Sequence, residues 1–300
     1  MKLFIAICVL FLLSISAVAQ QAPDPEFNTS VENPAYKKDG PRVMFDEAHH
    51  NFHTTDGRYK PFVDLMTNDG YRVVRNRQAF SKTTLGSYKI LVIANALGAE
   101  EDDDEGAANS AFTDEEIQAV HDWVKSGGAL LLIADHAPFG GAAAVLASKF
   151  GVDMSKGYTF DPQNCVAGSP SHLIFSRENK LLASHPITEG RGENERINLV
   201  RSFTGQSLKG PEGSVAILSL ADTATDTPSY ESQTPVSAAG RAQAVALKFG
   251  KGRVLVQGEA AMLSAQVSGP ENRRMGMNVP GNDNRQYALN LMHWLSGFLK

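Results

Sequence analysis

Imidazole and carboxylate side chains gather at three places in this chain. The first is Asp46-Glu47-Ala48-His49-His50-Asn51-Phe52-His53, the second Asp135-His136, and the third Glu259. Carboxylates and imidazoles carry protons in acid–base catalysis, and they are also the donors that suit zinc and similar divalent ions. His49 and His53 are four residues apart and would share a face if their loop were helical. The order His-Glu-x-x-His of zinc peptidases is missing. Asp46, His49 and His53 are the candidate ligands for a divalent metal such as zinc. With Glu47 they are also candidate binding residues, and Asp135, His136 and Glu259 are the candidate catalytic groups. The structural alternatives are a capping role for Asp46 or Asp135 and a solvated loop for His50.

Each cluster follows an apolar run that reads as a strand: Val43-Met44-Phe45, Ala129 to Ala134, and Val254 to Gly258. The run 129–134 has no polar residue, as expected of a central parallel strand covered on both faces. Between the runs lie helical patterns. A helix around 59–69 places Phe62, Leu65 and Met66 on one face, and strands follow at Tyr71–Val74 and Ile90–Ala94. Thr113-Asp114-Glu115-Glu116 is a capping box, with Ile117, Val120 and Val124 as the buried stripe behind it and Gly127-Gly128 as the stop. Gly140-Gly141 leads into a helix to about Phe150, and Asp283 caps a last helix with Tyr287, Leu291, Leu295 and Phe298 on one face. Residues 157–185 lack periodicity and read as an excursion over the sheet. Val215–Leu220 is a further buried strand. Strand–helix alternation of this kind means a mostly parallel α/β sheet with helices on both faces.

Ala242–Phe249, Gly250-Lys251-Gly252 and Arg253–Gly258 read as a C-terminal β-hairpin. Its first arm runs against the parallel strands and its second arm with them, which places Glu259 at the same sheet edge as Asp46 and Asp135. Ligands of open α/β sheets bind at carboxyl strand ends, so the three clusters are expected to line one pocket, with His49 and His136 at its wall and at least one carboxyl pKa raised. Gly140, at the start of the helix after Asp135, frees backbone amides to approach a ligand, and the helix end offers N–H groups to an oxyanion. Asn282 lies in a loop, Asn278 to Asn284, that can supply amides to a ligand.

The whole chain of 300 residues is 42% hydrophobic with a formal net charge of −5, enough for a buried core and without the basic run that nucleic acid or an anionic membrane surface requires. Met1-Lys2, an apolar stretch to Leu13 and Ala17-Val18-Ala19 read as a signal peptide over 1–19, cleaved after Ala19, so that the protein is exported to a periplasmic or extracellular space without stable membrane insertion. Residues 20–40 are a polar, proline-containing lead-in expected to be flexible, and 41–300 read as a single α/β domain. Cys165 is the one cysteine outside the leader and has no partner for an internal disulfide. The run Glu100 to Glu105 reads as a solvated loop. No Gly-x-Ser-x-Gly, phosphate loop or dinucleotide fingerprint occurs, which removes serine hydrolase and nucleotide-cofactor readings.

The strand, turn and small-residue helix around Asp135 resemble the nucleophile turn of class I glutamine amidotransferase-like folds, whose protease-like branch carries Cys-His-Gly-Pro there. Asp135 stands in the cysteine position, followed by His136 and Pro138. Region 42–299 more closely resembles an uncharacterised, often exported bacterial family of that superfamily, related to the GIFT domain of intraflagellar-transport proteins. The segments Phe45 to His49, Trp123 to His136, His185 to Thr188, Gly250 to Val254 and Gly258-Glu259 carry the likeness, with Asn284, Asn290 and Trp294 of the last helix. The resemblance implies a flavodoxin-like sheet with a ligand crevice and a sugar or nucleotide ligand. Aspartate in the cysteine position removes thiol amidotransferase or protease chemistry. The combined expectation is a hydrolase of a small polar or carbohydrate-like substrate, metal-assisted if the donors converge, with a non-catalytic sugar- or glycan-binding module as the alternative.

Overall fold

A computed structural model describes residues 21–300, and the leader with its cleavage point lies outside the described residues. A nine-stranded sheet forms the centre. Its strands are β1 (Arg42–Asp46), β2 (Arg72–Asn76), β3 (Ile90–Ala94), β4 (Ala129–Ile133), β5 (Asp153–Met154), β6 (Leu208–Lys209), β7 (Val215–Ser219), β8 (Ala242–Phe249) and β9 (Gly252–Gln257). They run in the order β2-β1-β3-β4-β9-β8-β6-β5, with β7 also pairing β8. From β2 to β9 every pairing is parallel. The hairpin is present as expected: β8 pairs antiparallel with β9, and β9 runs parallel beside β4.

Four helices cover the sheet: α1 (Lys60–Asn68), α2 (Asp114–Lys125), α3 (Phe139–Ser148) and α4 (Asn284–Ser296). Period-two alternation divides the strand side chains between two cores. Val43, Phe45, Leu131 and Leu255 pack with Phe62 and Leu65 of α1 and Leu291 of α4. Met44, Leu130, Leu132 and Val256 pack with Ile117 and Val120 of α2 and Leu146 of α3. Both faces are therefore apolar, and β3 and β4 are buried at every position, which is why their runs carry no polar residue. The architecture is an α/β, flavodoxin-like one with a mostly parallel central sheet.

Three expectations change in detail. The lead-in does not hang free: Ala22–Pro23 pairs with Ala265–Ser268, and Phe27, Val31 and Tyr36 pack against the core, because the polar composition of 21–40 hides three well-spaced apolar anchors. The aperiodic excursion holds short strands at Tyr158–Phe160, Cys165–Val166 and Ser169–Ser176. Asp283 makes no side-chain cap on α4. Its Oδ2 instead accepts the Asn198 and Leu199 N–H groups at 2.7 and 3.0 Å, and Asn282 Oδ1 takes the Asn284 N–H at 2.9 Å.

Candidate functional site

Strand register decides which carboxylates meet. Gln257 lies beside Ile133 in the β9–β4 pairing, so two residues further on Glu259 comes level with Asp135 on the same face. Both follow the parity of Leu131 and Leu255. The register from Phe45 through Val92 to Leu131 puts Asp46 level with Leu132, three residues short of Asp135 and of opposite parity. That separation is about 10 Å along the strands before the change of face is counted.

Asp135, His136, Glu259 and His53 line a cavity of about 480 Å³ at the carboxyl ends of β3, β4 and β9. Asp46 and His49 do not line it, which corrects the expectation of one pocket for all three clusters. A larger cavity of about 630 Å³ beneath the lead-in is lined by Asn278 of the expected amide loop and by none of the candidate catalytic, binding or metal residues.

Asp46 instead faces α2. His49 Nδ1 lies 2.8 Å from Asp46 Oδ2, and its Nε2 lies 2.9 Å from Glu116 Oε1. Both ring nitrogens meet carboxylate oxygens, so each carries a proton and His49 is a buried imidazolium. Burial alone would lower its pKa, but the hydrogen bonds and charges of Asp46 and Glu116 outweigh it and raise the value. Glu116 shows the reciprocal effect: burial pushes it up, and the Thr113 amide, His49 and the Phe80 amide hold it below the ordinary range. Asn51 Nδ2 also donates to Asp46, at 3.1 Å, and Phe80 N to Glu116 Oε1, at 2.9 Å. Glu47 is likewise spent, accepting Thr55 N and Oγ1 at 2.8 and 2.7 Å and pairing with Arg75 at 3.1 Å.

The metal expectation fails on the donor set. Asp46 and His49 satisfy each other, while His53 stacks on Tyr59 at 4.7 Å and opens on the other cavity. Among the described residues no group of three His, Cys, Asp or Glu side chains is placed to hold a metal ion.

Around Asp135 the turn is held tightly. Asn95, at the end of β3, accepts the Asp135 N–H at 3.0 Å. Gln206 donates to the carbonyls of Ala134 and Asp135, both at 2.9 Å. A Cβ on Gly140 would come within 2.3 Å of Gln206 Nε2, so glycine at 140 makes room for that amide and does not face a ligand. The helix-end amides are occupied as well: Phe139 N donates to His136 O at 3.1 Å and Gly141 N to Pro138 O at 3.0 Å. Gly140 and Asn282, expected as binding residues, are thus structural in position, and neither lines the cavity.

The electrostatics of the cavity floor are unbalanced. Burial raises the Asp135 pKa above the usual carboxylate range, against the opposing charge of His136 and hydrogen bonds from the His136 and Ala260 amides. Burial and then the Asp135 charge raise Glu259 much further. With Asp135 8% and Glu259 1% exposed, burial and their mutual repulsion both favour the protonated form, most strongly at Glu259. Glu259 Oε1 and Oε2 accept the Ala261 and Met262 N–H groups, each at 2.8 Å. His136 Nδ1 lies 2.7 Å from the Ala137 carbonyl oxygen, which can only accept, so Nδ1 carries the proton. Its ring stacks on Tyr158 at 4.6 Å. Burial and then Arg58 lower the His53 pKa to about 3, so that ring is neutral.

The opposite wall comes from segments that sequence periodicity does not flag: Tyr158 and His172 from the excursion, Phe203-Thr204, and Tyr230. Aromatic residues in an aperiodic stretch were the available signal. Thr204 has φ 114°, a left-handed backbone that a β-branched residue rarely adopts, and such strain concentrates at functional sites.

The sequence matches no protein-family model and no curated protein. Among solved structures the chain is similar to the mmIFT52 N-terminal domain, with a TM-score of 0.59, 14% identity and coverage of 85% of this chain and 97% of that one. It is also similar to a ThuA-like protein from Bacteroides uniformis, at a TM-score of 0.45 and 11% identity over 88% of this chain and 93% of that one, a level that adds nothing to the assignment. The mmIFT52 likeness is one of fold, in keeping with the resemblance to intraflagellar-transport domains that the sequence carries.

Proposed function

We propose that the protein is an exported hydrolase that cleaves a small polar or carbohydrate-like substrate in the Asp135–Glu259 cavity by acid–base chemistry. One observation carries the reading: two buried carboxyls at the same level of adjacent parallel strands, at the floor of a cavity walled by aromatic rings. Asp135 is the more exposed of the pair and is the base. It takes a proton from water as the water oxygen bonds to the electrophilic carbon. The proton held on Glu259 goes to the leaving oxygen as its bond to that carbon breaks, with His136 Nε2 beside them as a relay. Release of products and return of one proton from Asp135 to Glu259 restores the pair.

Chromogenic glycosides and acyl esters test this directly. Asp135→Asn should lower kcat by about 100-fold or more with KM little changed. Undiminished turnover in that variant would reject the mechanism. The alternative is a sugar-binding module, favoured by the two backbone N–H groups that pin Glu259 as a cap of the Ala261–Leu263 turn. Ligand-induced thermal stabilisation with no turnover on any probe would select it. Export is checked by mass spectrometry of the secreted protein, which should begin at Gln20.

A further inference from the structure

Two buried polar atoms of the cavity lining lack partners. His53 Nδ1 and Gln266 Oε1 belong to lining residues that are 3% and 1% exposed, and neither atom has a hydrogen-bond partner among the described residues. The Gln266 oxygen can only accept, and a buried acceptor left unpaired costs about 1–3 kcal/mol. The charge of the lining is one-sided. The described lining residues include Asp102, Asp135 and Glu259 and no lysine or arginine. Two guanidinium groups stand behind the lining: Arg58 lies 4.1 Å over the Phe52 ring, and Arg201 lies 4.9 Å over Phe203 with its Nη2 3.3 Å from His172 Nδ1 and its Nε without a partner among the described residues.

Resting on the reading of this cavity as the substrate site, we propose that its substrate carries an aliphatic amine, whose ammonium group sits against Asp135 and Glu259. An ammonium brings three donors and a positive charge, which suit the two carboxyls and the unpartnered Gln266 oxygen. A hydroxyl brings one donor and no charge. The cation also takes the place of the proton that the carboxyl pair otherwise retains, so binding releases a proton to solvent. Other charged or titratable groups around the space are His53, Tyr59, Asp102, His136, Tyr158, His172 and Tyr230, with Arg58 and Arg201 outside its lining.

Three sugars of one ring skeleton separate the possibilities: glucosamine, glucose and N-acetylglucosamine, titrated by calorimetry near pH 7 in two buffers of different ionisation enthalpy. Glucosamine should bind at least about tenfold tighter than either neutral sugar and release a proton to the buffer. Asp135→Asn should cut that preference to about twofold or less, and Gln266→Leu should weaken glucosamine several-fold while sparing glucose. Equal or tighter binding of glucose, or no measurable binding of glucosamine at millimolar concentration, would overturn the inference. The hydrolase reading is judged separately by turnover: glycoside cleavage with a preference for neutral sugars would retain it and discard the amine.

Discussion

Two carboxylate–histidine groups sit near the same edge of the sheet, and they end in opposite states. In the Asp46–His49–Glu116 group both imidazole nitrogens meet carboxylate oxygens and the remaining lone pairs meet amides of Asn51, Phe80 and Thr113. In the Asp135–His136–Glu259 group two buried carboxyls line one cavity whose lining has no lysine or arginine, and the unpartnered atoms of His53 and Gln266 belong to the same lining. The residue types are the same. What separates them is three residues of register and one change of strand face, which turn Asp46 toward α2 and Asp135 toward open space. A closed set of buried polar groups fixes the fold, whereas an open set is the place where a ligand can complete the bonding.

The comparison can be broken most forcefully at His49. His49→Ala leaves two buried carboxylates facing each other without their cation, and removal of one member of such a group costs about 3–5 kcal/mol. Chemical denaturation should show that loss, while any ligand bound in the Asp135 cavity should keep its affinity per folded molecule. A stable variant with impaired binding would reverse the assignment of the two groups.

Much of this was legible in the sequence. The unbroken apolar runs of β3 and β4 gave their central position, the Thr113–Glu116 capping box is formed, and the glycine-turned hairpin placed Glu259 on the edge that holds Asp135. The face of Asp46 was not legible, because it depends on a register set between β1, β3 and β4 by packing of both layers. Gln206 was hidden for a similar reason: its partners, Ala134 and Asp135, are more than 70 residues away in sequence. Tyr158 and His172 lie in short strands that pair with Thr225–Thr227 and Leu199–Arg201, and Tyr230 lies in a turn, so no period announces that wall.

A middle-sized effect is expected at Gly140, on the open side. Gly140→Ala drives a Cβ into the Gln206 amide and should cost about 1–3 kcal/mol by overpacking, together with weaker ligand binding as the Asp135 turn shifts. Unchanged melting and unchanged binding would show that Gln206 does not hold the turn. On the closed side, Thr113→Ala removes one half of the α2 capping box and should lower stability by about 1 kcal/mol, with no effect on ligand affinity.

The two groups also differ in their response to acid, and the sign follows from the direction of each shift. Glu116 is held below its unfolded value, so its contribution is present above the ordinary carboxylate range and is lost as pH falls. Asp135 and Glu259 are raised, so their contribution is full below the ordinary carboxylate range and is lost as pH rises through their folded values. His49, also raised, loses its contribution as pH rises through its own folded value, and that part of the slope is common to wild type and to Asp135→Asn. As pH rises above the ordinary carboxylate range the variant should therefore lose less stability than wild type. Parallel curves would mean that the two carboxyls are not raised together.

The most direct measurement is an NMR titration of the side-chain carboxyl carbons of Asp135 and Glu259 in the ligand-free protein. The account predicts that both carboxyls ionise above the ordinary range, Glu259 well beyond Asp135, and that Asp135→Asn brings the Glu259 transition down. Two independent transitions in the ordinary carboxylate range would contradict the raised pair and, with it, the acid–base site.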